Sequence, residues 1–189
     1  MMSQSSAIGE VEATQIKQQR PSLRLPDAVS TAEVVLVQAM EYCAQKLGLD
    51  GAREAVERLK EGNATACGYC HYSVAKQVAE ALGALDQNIQ AAYVFDYDAT
   101  PQDLCFGEAV QATPIHLLVW TGRKTGALNS LVEALDGALA QQLFHLLGRG
   151  PRAHVLDVQI VDDTDVQNRT GYGALLSSLH HRPIKVWER

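Results

Sequence analysis

Three apolar runs of strand length interrupt a chain whose other apolar positions recur at helical spacing. The first reads Ile89-Gln-Ala-Ala-Tyr-Val-Phe95, the second Ile115-His-Leu-Leu-Val-Trp-Thr121 and the third Val155-Leu-Asp-Val-Gln-Ile-Val161. Their Val, Ile, Leu and aromatic content, bounded by turn residues, predicts strands near 90–96, 114–120 and 154–161. The segment 101–114 between the first two is too short and irregular for the crossover that a parallel pair needs. Those two strands are therefore expected to be antiparallel neighbours.

The remaining apolar positions predict helices. Val34, Val37, Met40, Ala44 and Leu47 share one helical face, so a helix is expected from a Ser30 or Thr31 cap to Gly48. A shorter helix is expected over 50–60, and another over 71–85 with Val74, Val78, Ala81, Leu82 and Leu85 as its stripe. Leu128, Leu131, Leu135, Leu139, Leu143 and Leu146 predict the longest helix, over 127–147, stopped by Gly148. The segment 165–173 reads as a turn, 173–180 as a short helix, and 183–187 as an edge strand opened by Pro183.

Together these elements define an α/β (α+β) protein, with a small, mixed, largely antiparallel sheet packed by helices. Residues 1–28 are polar, hold Pro21 and Pro26, and read as a flexible arm. Residues 29–66 read as a helical extension and 67–189 as the core.

Composition narrows the function classes. The chain has 189 residues, 47% of them hydrophobic, which is enough for a sizeable core. Its net charge of −6 argues against nucleic acid or an acidic membrane as a partner. No apolar run is long enough to cross a bilayer. Residues 1–10 have neither the basic region nor the apolar run of a secretory signal, so a cytoplasmic location is expected. In that setting the 4 cysteines are expected to be thiols or metal ligands rather than a disulfide framework.

From residue 71 on, the order is helix, strand, irregular loop, strand, long helix, strand, helix and short apolar tail. With Ala92-Tyr-Val-Phe95, Ile115-His-Leu-Leu-Val119, Leu156-Asp-Val158 and the ending Ile184-Lys-Val-Trp-Glu-Arg189, that order resembles the minimal nucleotidyltransferase domain of the polymerase-beta-like superfamily. The resemblance covers roughly 71–189 and implies that Asp157 stands where the family has its third metal-binding carboxylate. The other motif positions depart from the family. Asp96-Tyr97 replaces a Gly-Ser pair, and Pro114 and His116 replace two carboxylates. Two-metal transfer needs hard oxygen ligands that bridge the ions. The chain is therefore expected to be a non-catalytic relative with a binding, regulatory or assembly role, working with a protein partner or as a homo-oligomer.

Two other chemistries compete. Phe95-Asp-Tyr-Asp-Ala-Thr100 also resembles the first motif of haloacid-dehalogenase-type phosphohydrolases. That resemblance implies Asp96 as nucleophile and Asp98 as acid/base, with Thr121 and Asp162-Asp163 imitating later motifs. The family needs parallel strands, which the short connection opposes. Cys67-Gly-Tyr-Cys70-His71 spells the c-type haem signature, but haem attachment belongs to an exported compartment. The same residues, completed by Cys105, are candidate ligands for zinc or iron. Cys67 and Cys70 are also candidate redox thiols, expected at or just before the N-terminus of the 71–85 helix, where amide donors stabilise thiolate.

The remaining polar features read as structural. Arg123-Lys124 is the one compact basic pair near the sheet and the candidate anion site. His180-His181-Arg182 reads as a solvated helix end, His116 as a hydrogen-bonded sheet residue, and Trp120 and Trp187 as packing groups.

Overall fold

A computed structural model describes residues 25–95, 114–148 and 154–189. Its elements are α1 (Leu25–Leu47), α2 (Ala52–Lys60), α3 (Ala64–Leu85), β1 (Ile89–Val94), β2 (Ile115–Thr121), α4 (Gly126–Leu147), β3 (Leu156–Asp162), α5 (Asp163–Asn168), a 3₁₀ helix (Gly171–Ser177) and β4 (Ile184–Glu188). The sheet is mixed, in the order β3-β2-β1-β4. β1 runs antiparallel to both β2 and β4, whereas β2 and β3 are parallel. All three strands expected from the apolar runs lie in this one sheet, and the first two are antiparallel neighbours as the short connection required.

Alternation along β2 divides the sheet into two faces. Ile115, Leu117 and Val119 point into one buried cluster that also holds Leu128, Leu135 and Leu139 of α4, Val74 and Val78 of α3, and Val35 and Ala39 of α1. Each fully buried Leu there contributes roughly 1.5–3 kcal/mol relative to exposure. His116 and Trp120 point to the opposite face and are half-buried. The α1 helix thus packs into the same core as the sheet, so residues of the expected 29–66 extension and of the 67–189 core share one hydrophobic interior.

Helix boundaries follow caps more than stripes. Thr125 accepts a hydrogen bond from the Leu128 amide at 3.1 Å, and Gly148, at φ 68, closes α4 in the left-handed region that suits glycine. Asn63 caps α3 by accepting from the Ala66 amide at 2.9 Å. As a result α3 begins at Ala64 rather than near His71, and it runs across the expected boundary at residue 67. α1 begins at Leu25 rather than at a Ser30 or Thr31 cap. Pro26 is tolerated in a first turn, and the Thr31 hydroxyl bonds the Asp27 carbonyl inside the helix. The segment read as a turn after residue 165 contains α5, set by a reciprocal capping box between Asp162 and Asp165. The expected 173–180 helix is the shorter 3₁₀ helix instead.

β4 is locked onto the sheet by its own last residues. The Arg189 guanidinium donates to the carbonyls of Gly83 at 2.6 Å and Ile89 at 3.0 Å, and it lies 5.6 Å from the Trp187 ring. Gly83 lets the Trp187 indole lie directly on α3, since a Cβ there would come within 2.3 Å of the ring. Gly83→Ala is therefore expected to destabilise by about 1–3 kcal/mol, the usual cost of overpacking. Urea unfolding followed by Trp fluorescence measures it, and an unchanged midpoint would show that the indole moves freely.

Candidate functional site

The polar face of the sheet carries a cluster built from three elements. Parallel register places His116 of β2 opposite Asp157 of β3. Their side chains meet, with His116 Nδ1 2.9 Å from Asp157 Oδ2. Gln159, two residues along β3 and hence on the same face, donates to Asp157 Oδ1 at 2.8 Å. Both carboxylate oxygens of Asp157 are thus engaged by protein donors. The His116 ring is flanked by Phe95 at 5.4 Å, and Phe95 in turn meets Tyr172 of the 3₁₀ helix at 5.5 Å. The result is a partly open surface of imidazole, carboxylate and aromatic groups. With Nδ1 engaged by Asp157, Nε2 is the ring nitrogen of His116 not used in this contact.

A second polar cluster lies at the far end of the same face. Trp120 Nε1 donates to Asp163 Oδ1 at 2.9 Å, and Gln90 Nε2 donates to the same oxygen at 3.1 Å. Lys124 pairs with Asp165 at 2.5 Å. That ammonium, with the Asp162 amide and the Thr170 hydroxyl, holds the Asp165 carboxyl below the usual carboxylate range. Of the Arg123-Lys124 anion candidates, Lys124 is therefore already matched to a carboxylate. Asp162 and Asp163, the imitation of a late phosphohydrolase motif, serve as a helix cap and an indole acceptor. Asp96 and Asp98 lie outside the described residues. The antiparallel β1–β2 pair does not supply the parallel crossover on which the phosphohydrolase reading depends.

The cysteine segment departs most from its sequence reading. Cys67 and Cys70 sit inside α3, and the Cys67 amide bonds the Asn63 carbonyl at 2.9 Å. The helix-end donors expected to activate them are already satisfied by the Asn63 cap and by the helix itself. Cys67 is disulfide-bonded, where a thiol or metal ligand was expected, while Cys43 and Cys70 are free and buried. In that form Cys67 has no thiolate to offer a metal. Burial pushes the thiols of Cys70 and Cys43 up, and Cys43 further raises the cost of ionising Cys70, so Cys70 is not the activated thiol expected. Cys105 lies outside the described residues. Among the described residues, no group of three His, Cys, Asp or Glu side chains could hold a metal ion.

His71, the third ligand candidate, is 8% exposed. Burial, and secondarily the charge of His116, lowers its pKa to about 4, so it is a neutral core imidazole. His180 and His181 are exposed, and Arg182 of the same run lies near enough to Tyr93 for its charge to act on the phenol.

The His116–Asp157 pair was not visible as a pair in the sequence. The signal that could have found it was the placing of Ile115 to Val119 and Leu156 to Val158 as the two strands carrying the nucleotidyltransferase carboxylates. No family model, curated protein or solved structure matches the chain. Among the described residues, no helix is long and apolar enough to cross a membrane.

Proposed function

We propose that this chain is a nucleotidyltransferase-like domain that does not transfer nucleotides and works by binding, in a regulatory or assembly role. The observation that carries the reading is the internal satisfaction of Asp157: His116 occupies one oxygen at 2.9 Å and Gln159 the other at 2.8 Å. A carboxylate that serves a metal pair must present oxygens to the ions, and neighbouring carboxylates must share the charge. Here the adjacent strand offers an imidazole at 116 and Pro114 two positions before it. The element order and the side-by-side placing of residues 116 and 157 support the family resemblance, while the residue types support lost transfer. The binding surface of this reading is the sheet face around His116, Phe95 and Tyr172, and its partner is a protein, either another chain or a second copy of this one.

Mn²⁺ titration tests the point directly, by water-proton relaxation in the presence of ATP. The expected outcome is no difference between the wild type and Asp157→Asn. Submillimolar Mn²⁺ binding that disappears in Asp157→Asn would contradict the reading.

A further inference from the structure

The two edges of the sheet are finished differently. β4 follows Pro183, carries Lys185 and Glu188 at exposed positions, and is interrupted by a bulge opposite Ala92 and Tyr93. Such devices keep an edge from pairing with another strand. β3 has no lysine, arginine or proline over Leu156–Asp162, and its register with β2 is unbroken. The Ile115 amide donates to the Val155 carbonyl at 2.8 Å. Alternation along a parallel ladder then turns the backbone groups of 157, 159 and 161 toward β2 and those of 156, 158, 160 and 162 outward. The outward row is capped at both ends. Asp136 Oδ1 takes the Leu156 amide at 2.9 Å, and Asp165 Oδ2 takes the Asp162 amide at 3.2 Å. Between these caps, the amides and carbonyls of Val158 and Ile160 have no partner among the described residues. Their side chains lie half-buried against the core cluster.

We propose that this open edge pairs with the same edge of a second copy of the chain, β3 against β3, in antiparallel register about Gln159. That register sets Val158 opposite Ile160 of the second copy and, by the twofold axis, Ile160 opposite its Val158. Each pair then exchanges both of its backbone hydrogen bonds. Apolar side chains meet on the core side, which completes the burial of Val158 and Ile160. Asp157 falls opposite Val161, Asp162 opposite Leu156 and Gln159 opposite its own copy, so no carboxylate faces another. A slip of two residues either way sets a capped amide, that of Leu156 or Asp162, against an open carbonyl. The caps thus select one register, and a self-complementary one. The proposal concerns the sheet edge and does not rest on the nucleotidyltransferase reading.

Sedimentation equilibrium of the full chain, from micromolar to submillimolar concentration, is the test, read beside amide hydrogen exchange. A reversible dimer is expected, with exchange at Val158 and Ile160 slowing as it forms. Val158→Pro removes an amide that faces away from β2, so the β2–β3 ladder keeps its bonds. It takes one donor from each copy and should raise the dimer dissociation constant at least about tenfold. Gln159→Lys keeps a donor for Asp157 but sets two ammonium groups opposite each other on the axis. It should weaken the dimer at least about threefold, and added salt should restore part of the loss. A chain that stays monomeric over the whole range overturns the proposal. So does a dimer in which the Val158 and Ile160 amides exchange as fast as in the monomer, an outcome that needs no variant. A dimer as tight in Val158→Pro and Gln159→Lys as in the wild type overturns it as well. A monomer in which a synthetic strand of alternating valine and threonine slows those two amides replaces the second copy with a strand of another chain.

Discussion

Replacing Asp136 with Ala is expected to lower the free energy of unfolding by about 2–5 kcal/mol. Asp136 is on α4, 6% exposed, and its Oδ1 accepts from the backbone amides of Val155 at 2.8 Å and Leu156 at 2.9 Å. Its Oδ2 lies 2.6 Å from His154 Nδ1. These bonds fix the point where the chain enters β3, the strand that carries Asp157. In Asp136→Ala the two amides are left buried without an acceptor, at a cost of about 1–3 kcal/mol each. Asp136→Asn keeps one carbonyl oxygen at the same place and should cost about 1 kcal/mol. Urea midpoints at constant m-value measure both changes. Equal, small effects would mean that the β3 amides find other acceptors.

Acidification provides the second large effect, through His71. Its folded pKa is about 4, against an ordinary value of 6.5. Below pH 6.5 the unfolded chain binds a proton that the folded chain refuses, so stability rises with pH between about 4 and 6.5 and falls as pH drops through that window. The shift amounts to about 3 kcal/mol when fully developed at low pH, and to about 2 kcal/mol between pH 7 and pH 5. His71→Gln removes this titration. Its own stability is lower at pH 7 if the imidazole packs well, but its loss between pH 7 and pH 5 should be about 2 kcal/mol smaller than that of the wild type. Parallel pH profiles for the two proteins would show that His71 is solvated in solution.

The sheet was legible because its information is local. Val, Ile, Leu and aromatic content marked β1, β2 and β3, and the length of one connection determined a strand direction. The α4 helix was equally legible, since a leucine stripe and Gly148 mark its extent. The start of α3 was not. Ala64-Thr-Ala-Cys-Gly-Tyr-Cys70 has no apolar stripe, and Gly68 reads as a loop residue, although Asn63 ahead of an alanine-containing segment is a capping signal. That displacement carried the cysteine reading with it, because thiol activation depended on Cys67 and Cys70 standing at a free helix end. The disulfide at Cys67 was beyond reach for another reason: cysteine spacing does not give connectivity.

The site was half legible for a similar reason. His116 was read as a hydrogen-bonded sheet residue, as its contact with Asp157 shows, and Asp157 was singled out only by the nucleotidyltransferase resemblance. Their contact joins residues 41 positions apart, and only strand register brings them together. Whether a carboxylate meets protein donors depends on such long-range neighbours, and here each oxygen of Asp157 meets one. The second polar cluster has the same character. Asp162 and Asp163 look like catalytic acids in sequence, and their geometry makes one a cap and the other the acceptor for Trp120 and Gln90.

Nucleotide turnover measures the central claim most directly. Purified protein is incubated with Mg²⁺ and each of the four ribonucleoside triphosphates, and pyrophosphate release and label transfer to the protein itself are followed beside Asp157→Asn. The account predicts no release above the level of the variant, because Asp157 is held by His116 and Gln159 and because, on the proposed resemblance, Pro114 and His116 replace the partner carboxylates. Mg²⁺-dependent release by the wild type that is abolished in Asp157→Asn would contradict it, and would mean that the His116–Asp157 pair opens to take up metal.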